Sequence, residues 1–277
     1  MTEKRALFIG ISGQDGAYLA ELLLAKNYEV YGSSRDAMAS SFQNLASLGI
    51  RDQVHLLSIS LNDFRSVLQA LNRIKPDEIY NLGGQSSVGL SFEQPVETFE
   101  SISVGVLNLL EAVRILGMPA RLYNAGSSEC FGNTNGEPAT EKTLFAPRSP
   151  YAVAKAAAFW QLANYRDAYN LHACSGLLFN HESPLRPSRF VTSKIVRTAC
   201  AIADGREKIL KLGNITVHRD WGWAPEYVEA MWRMLQQEVM EDYVIATGET
   251  HSLEDFIAEV FENLGLNWKD HVEHDNS

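Results

Sequence analysis

Short apolar runs alternate with longer stretches whose apolar positions recur at helical spacing, from the start of the chain onward. Ala6–Ile9 is uninterrupted apolar sequence, the mark of a strand buried on both faces. Gly16–Lys26, which contains YLAELLLAK, predicts a helix. Tyr28–Gly32 and Val54–Ile59 predict strands, Val67–Ile74 a helix and Glu78–Leu82 a strand. Val104–Leu116 predicts a helix, Arg121–Ala125 a strand, Pro150–Tyr169 a long helix and Ala173–Phe179 a further strand. Repeated strand–helix units with right-handed crossovers give an α/β doubly wound parallel sheet covered on both faces. The rhythm breaks after Phe179, where the segment from His181 to Pro187 carries two prolines, Pro184 and Pro187. The expected organisation is a main domain over residues 1–182 and a smaller C-terminal lobe over 183–277. An amphipathic helix within Arg219–Leu235 and a strand at Tyr243–Ala246 return residues 219–250 to the main domain.

Composition removes several function classes. At 277 residues with 45% hydrophobic and 21% charged residues, the chain is long enough for one sizeable core plus a small lobe. A net charge of −10 argues against a nucleic-acid surface, which needs a basic face, but not against an anionic small ligand in a local pocket. Cys130, Cys174 and Cys200 lack metal-ligand spacing, so they read as reduced thiols and no metal site is expected. The apolar run after the charged amino terminus is too short for a signal peptide, and no stretch approaches a membrane span. A cytoplasmic location follows as the expectation.

Two constellations carry chemistry. Gly10-Ile-Ser-Gly13-Gln-Asp-Gly16 lies between the first strand and the first helix. Glycines there let backbone approach a pyrophosphate, and the helix amino terminus offers free N–H groups, as in Rossmann-type dinucleotide sites. The spacing is GxxGxxG rather than GxGxxG. After the second strand come Ser33, Ser34, Arg35 and Asp36, where NAD-preferring sites carry an acid for the ribose 2′-hydroxyl. Two hydroxyls and an arginine suit a 2′-phosphate better, so NADP is expected, with Arg35 discriminating. Further along, Ser127-Ser128-Glu129 precedes Tyr151-Ala-Val-Ala-Lys155. Tyr151 and Lys155 lie one helical turn apart, so the lysine charge favours a phenolate. With Ser127 this set can take a carbinol proton while a nicotinamide takes the hydride. Glu129, a carboxylate beside a carbinol oxidation site, points to a second proton abstraction.

These residues together resemble the extended short-chain dehydrogenases/reductases and, more narrowly, the GDP-mannose 4,6-dehydratase family. The matching segments are Gly10–Leu19 (GISGQDGAYL), Asn81–Phe92 (NLGGQSSVGLSF), Ser127–Gly132 (SSECFG), Pro147–Lys155 (PRSPYAVAK), Leu178–Arg186 (LFNHESPLR), Phe190–Ile195 (FVTSKI) and Leu212–Trp221 (LGNITVHRDW). Tyr227–Trp232 (YVEAMW) and Asp242–Thr250 (DYVIATGET) complete a match through nearly the whole chain. The resemblance implies a hydroxyl–tyrosine–lysine set of Ser127, Tyr151 and Lys155, with Glu129 as the dehydratase base. Many family members carry Thr where Ser127 stands. It implies cofactor contacts at Gly10, Gly13, Gln14, Asp15, Gly16, Arg35, Ser60, Leu61, Leu82, Tyr151, Lys155 and His181. Substrate contacts are implied at Ser86, Ser128 and Asn180, with Lys194 and Arg219 facing the nucleotide diphosphate.

The implied activity converts GDP-mannose to GDP-4-keto-6-deoxymannose. A GDP-heptose substrate, a sugar-nucleotide 4-epimerase or reductase without need of Glu129, and a non-catalytic NADP(H)-binding regulator are the alternatives. Three departures from the family stand out. Ser60 occupies a position usually held by Asp, and Asp36 one where a second Arg is common in the loop that family tetramers use. Family chains also continue past the equivalent of Asp275 with an Arg and a Glu that enclose the guanosine, so the expectation is either a truncated form or a more open nucleotide pocket. A homodimer or homotetramer is implied, through a helical face drawn from Val104–Leu116 and from Tyr151–Tyr169 with its Phe159 and Trp160.

Overall fold

The computed structural model describes residues 4–274; Asp275–Ser277, where the family's guanosine-enclosing segment would follow, lie outside the described residues. Six strands come in order before residue 179: β1 Arg5–Ile9, β2 Glu29–Ser34, β3 His55–Ser58, β4 Glu78–Asn81, β5 Arg121–Ala125 and β6 Ala173–Leu178. Between them lie α1 Gln14–Ala25, α2 Gln43–Ser47, α3 Phe64–Ile74, α4 Val88–Glu93, α5 Pro95–Phe99, α6 Gly105–Ile115 and α7 Pro150–Tyr169. The sheet has seven strands, all parallel, in the order Tyr243–Ile245, β6, β5, β4, β1, β2, β3. This is the doubly wound Rossmann architecture expected from the alternation. The order reverses between β1 and β4, and ligands of such sheets bind beyond the carboxyl ends of the strands at that point. Apolar residues from β1, β3 and β4 (Leu7, Ile9, Leu57, Ile79) pack against Val67 and Leu71 of α3 and Val106, Leu109 and Leu110 of α6.

Contacts divide the chain into two units. One runs to Phe179 and takes up Ala224–Ile245; the other comprises Asn180–Trp223 and the chain from Ala246. The first break falls at Phe179 rather than after residue 182. Asn180–Glu182 pairs in parallel with Trp221–Trp223 instead of extending the large sheet. In the larger unit, Glu78 at the amino end of β4 is 1% exposed and accepts from Lys4 Nζ (2.9 Å), Tyr28 Oη (3.1 Å), Tyr80 Oη (2.7 Å) and Gln236 Nε2 (3.2 Å). A buried carboxylate needs such a set of donors. Gln236 ends the helix Ala224–Gln236, so the cluster ties that returning helix to the sheet. It sits at the end of β4 away from the glycine turn and serves the fold, not the chemistry.

The smaller unit has its own core: Ile195, Ala199, Leu210, Leu212, Leu253, Ile257 and Phe261. Ser252 and Asp255 form a reciprocal capping box on the helix Leu253–Asn263. Buried Asp220 accepts from the backbone N–H of Thr247 (3.1 Å) and Gly248 (2.8 Å), closing a loop that has no regular structure.

Two elements differ from the sequence expectation. The helix expected at Val104–Leu116 is preceded by α4, α5 and a π-turn at Glu100–Val104, and starts at Gly105. Phe159 is half-buried, edge-on to Phe145 with ring centroids 4.9 Å apart, so it belongs to packing rather than to a free helical face. Trp160 remains 62% exposed. Among the described residues, no helix is long and apolar enough to cross a membrane.

Candidate active site

Two glycines of the turn after β1, Gly10 and Gly16, answer different steric demands. Gly10 has φ +85°, open to glycine and strained for other residues, and a methyl there would lie 2.9 Å from Gly83 Cα. A methyl on Gly16 would lie 2.6 Å from Ile11 Cα, so this position brings α1 against the strand end. Gly13 is different. Its added methyl would meet only Gly10 O, at an ordinary 3.7 Å, so no protein contact demands glycine there. Gly13 is the N-cap of α1 and brings no capping side chain. Open space over an uncapped helix start is the cradle that a pyrophosphate fills, and the residues present therefore fit a nicotinamide dinucleotide. Gly13→Ala is expected to weaken dinucleotide binding by on the order of tenfold and to move stability by no more than about 0.5 kcal/mol. Gly16→Ala, forced against backbone, is expected to cost about 1–3 kcal/mol of stability. Dinucleotide titration and urea unfolding of both variants check this pair.

Beyond β2 the structure corrects one expectation. Ser33 is fully buried and donates its hydroxyl to Phe8 O (3.0 Å), so it offers nothing to a 2′-phosphate. Strand alternation turns its side chain inward. Ser34 Oγ accepts from Ser40 Oγ (2.9 Å). Arg35 projects outward with its side chain 85% exposed, and its Nη1 lies 3.5 Å from Glu97 Oε1 on α5. Asp36 Oδ1 accepts from Met38 N (2.9 Å) and Ala39 N (3.2 Å) in its own loop. At the end of β3, Ser60 N donates to Ser66 Oγ (3.1 Å), and buried Leu61 accepts through its carbonyl from Asn108 Nδ2 (2.6 Å). Leu82 N donates to Ile9 O (3.0 Å), which sets the backbone beside Gly10. Gln14 is buried, Asp15 half-buried and Ser86 exposed.

The hydroxyl, the tyrosine and the lysine come from two adjacent elements. β5 ends at Ala125, and Gly126 lets the chain pass β6, since a methyl there would lie 2.8 Å from Gly176 O. Ser127 then caps a short 3₁₀ turn, Ser128–Phe131, its Oγ accepting from Glu129 N (3.3 Å). That bond uses an oxygen lone pair and leaves the hydroxyl proton to donate. Ser128 and Glu129 are half-buried. α7 starts just before Tyr151 because Ser149 Oγ accepts from Ala152 N (3.1 Å) and Pro150 takes the first helical position. Lys155 Nζ donates to Ala125 O (2.7 Å), drawing α7 to the end of β5, and lies 5.7 Å from the Tyr151 ring centroid. Lys155 is only 8% exposed, and burial holds its ammonium down to about 8, an effect offset in part by Cys130 and Asp15 nearby. Burial also pushes the Cys130 thiol up to about 12, so it is no nucleophile at neutral pH.

The residues expected to meet the substrate from the smaller unit are placed differently. His181 is buried in the strand Asn180–Glu182, beside half-buried Asn180. Lys194 is exposed and donates to Lys211 O (2.7 Å), and exposed Arg219 donates to His218 O (2.8 Å). A cavity of about 990 Å³ in this unit is lined by residues including Glu182, Arg197, Trp221, Trp223 and Phe256, but by neither cation. Sequence reasoning missed Glu97 and the Ser149 cap. The cap was readable in Ser149-Pro150 directly before the helix, whereas nothing local ties Glu97 to Arg35. Among the described residues no cluster of His, Cys, Asp or Glu could hold a metal, and all three cysteines are free thiols.

A glycine turn at the switch point and a Ser/Tyr/Lys set at the end of β5 and the start of α7 are the pattern of the nicotinamide-dependent extended short-chain dehydrogenases/reductases. The profile of a family described as GDP-mannose 4,6 dehydratase matches residues 7–277. The chain is 50% identical over 282 aligned residues to GDP-mannose 4,6 dehydratase 1 of Arabidopsis thaliana, covering 98% of this chain and 78% of that protein. It is 47% identical over 273 residues to GDP-mannose 4,6-dehydratase of Vibrio cholerae, covering 95% and 73%. This chain belongs to the GDP-mannose 4,6-dehydratase family. Among solved structures, Thermus thermophilus UDP-glucose 4-epimerase in complex with NAD superposes with TM-score 0.84 at 28% identity, covering 97% of this chain and 85% of that one. RMD from Pseudomonas aeruginosa, complexed with NADPH, shares the fold with TM-score 0.81 at 23% identity, covering 99% and 85%.

Proposed function

We propose that this chain is an NADP-dependent GDP-mannose 4,6-dehydratase, making GDP-4-keto-6-deoxymannose, with Ser127, Glu129, Tyr151 and Lys155 as its working residues. One observation carries the reading within the family: Glu129, half-buried, sits on the turn that Ser127 caps, while Lys155 bonds the strand end just before that turn. Tyr151, as phenolate, removes the O4 proton, with Lys155 supplying the charge that favours it. The Ser127 hydroxyl donates a hydrogen bond to O4. A nicotinamide dinucleotide held at the glycine turn of Gly10, Gly13 and Gly16 would supply the acceptor for the C4 hydride and its return to C6. The C4 ketone acidifies the C5 hydrogen, and Glu129 removes it. Glu129 passes that proton to the departing C6 hydroxyl, which leaves as water; C5 then takes a proton from solvent as the hydride reaches C6, and the O4 proton held on Tyr151 passes to solvent. Atoms and electrons balance without an external oxidant. Arg35, extended into solvent at the end of β2, supports the preference for a 2′-phosphate. Lys194 and Arg219, two exposed cations of the smaller unit, are proposed to face the diphosphate of the GDP-sugar.

Free thiols and the lack of a spanning helix among the described residues support a cytoplasmic enzyme. Exposed Val153 and Trp160 on α7, with Phe92 and Val96 before it, support association of copies through this face. The test is incubation with GDP-mannose in deuterated water, without added cofactor, read by mass and NMR. Loss of water with one deuterium at C5 supports the proposal. Deuterium-free recovery of GDP-mannose from folded, NADP-saturated protein, with turnover of a GDP-heptose instead, overturns the mannose assignment.

A further inference from the structure

Among the described residues, the acid that pairs with Arg35 comes from another element. Asp36, its neighbour in sequence, turns its Oδ1 to Met38 N and Ala39 N in its own loop. The loop itself is tethered: Ala37 N donates to Ser58 Oγ (2.9 Å) and Asn44 Nδ2 to Ser12 O (3.1 Å) beside the glycine turn. Arg35 therefore leaves a fixed backbone, and its guanidinium stands 3.5 Å from Glu97 Oε1, with Glu97 held in the first turn of α5 behind Pro95. At that distance the contact is a loose ion pair rather than a bidentate fork, and the exposed guanidinium keeps N–H groups for a second anion.

We infer that Glu97 is a specificity-determining residue: a counter-charge on Arg35 that holds down affinity for a 2′-phosphorylated dinucleotide and leaves its unphosphorylated counterpart untouched. The inference rests on the assignment of Arg35 to the 2′-phosphate. A phosphomonoester carries between one and two negative charges near neutral pH. On reaching Arg35 it meets the Glu97 carboxylate within a few ångströms, and either shares the guanidinium or displaces the acid. Both routes weaken binding. NAD has only a hydroxyl at this position and meets no such repulsion. Coulomb interaction at this separation in a solvent-exposed site corresponds to roughly a threefold to tenfold change in affinity, and salt screens it. Arg35 then selects NADP, while Glu97 sets how tightly it is held.

Titration calorimetry with NADP⁺ and NAD⁺ tests this on the wild type, Glu97→Gln, Arg35→Gln and the double variant. Glu97→Gln keeps the shape of a half-buried side chain and Arg35→Gln shortens an exposed one, so folding is retained; thermal midpoints monitor it. Glu97→Gln is expected to tighten NADP⁺ roughly threefold to tenfold at low salt, less at high salt, with NAD⁺ changed less than twofold. In the Arg35→Gln background the same replacement is expected to give less than half that gain. If Arg35→Gln lowers the NADP⁺/NAD⁺ preference but Glu97→Gln leaves it unchanged or reduced, the inference is overturned and the NADP assignment stands. If Arg35→Gln leaves the preference unchanged, the NADP assignment at Arg35 falls, and the role of Glu97 falls with it.

Discussion

Glu129→Gln is expected to cut formation of the 4-keto-6-deoxy product on the order of 10²–10⁴-fold, the usual contribution of a positioned base, while C4 oxidation survives. The replacement keeps the shape and removes only the ability to take a proton. The local backbone has no reason to change, because Ser127 Oγ accepts from the N–H of residue 129, which glutamine retains. Ser127, Tyr151 and Lys155 keep their places, so the O4 proton still leaves. The reaction then halts at a 4-keto sugar that keeps its C5 hydrogen and its C6 hydroxyl. Borodeuteride quenching of a single turnover should label C4 in an amount approaching that of the protein, and solvent deuterium should not enter C5. Deuterium appearing at C5 at the wild-type rate would give the base role to another group.

Lys155→Met is expected to lower turnover by a comparable factor and to alter how stability depends on pH. In the cofactor-free folded protein burial holds Lys155 near 8, whereas the unfolded chain titrates near 10.4. Below pH 8 both states carry the proton, and burial of the charge is a constant cost to the fold. Between pH 8 and about 10.4 the folded state has lost the proton and the unfolded state still binds it, so stability rises with pH. The wild type should therefore gain on Lys155→Met, which has no such group, by about 3 kcal/mol between pH 7 and pH 10.5. Taking the difference between the two proteins removes other titrations common to both. The pH-independent loss of the bond from Lys155 Nζ to Ala125 O, a 2.7 Å contact, stays in that difference as a constant offset and drops out of its change with pH. Urea midpoints of both proteins across this pH range measure it, and a difference that stays flat would mean that Lys155 titrates in the ordinary lysine range.

Much of this site is legible in local sequence. Strands such as Ala6–Ile9 announce themselves because burial on both faces demands an unbroken apolar run. The pairing of Tyr151 with Lys155 follows from the pitch of a helix, and Ser149-Pro150 marks where that helix starts. Gly10, Gly13 and Gly16 likewise bear on a turn only a few residues long, so their spacing alone points to a phosphate cradle. Other features rest on residues far apart in the chain. α4 and α5 are too short and too polar for periodicity to reveal them, yet α5 delivers Glu97 to Arg35. Ser33 and Arg35 look alike as candidate phosphate ligands in sequence. Only the packed sheet turns one hydroxyl into Phe8 O and leaves the other side chain in solvent. The depressed titration of Lys155 arises from its burial where α7 meets the end of β5, against the opposing pull of Cys130 and Asp15. Periodicity and turn chemistry act within a few residues, and so identify the elements and the reactive groups. Burial, charge pairing and desolvation act across space, and so wait on which distant segments the fold brings together.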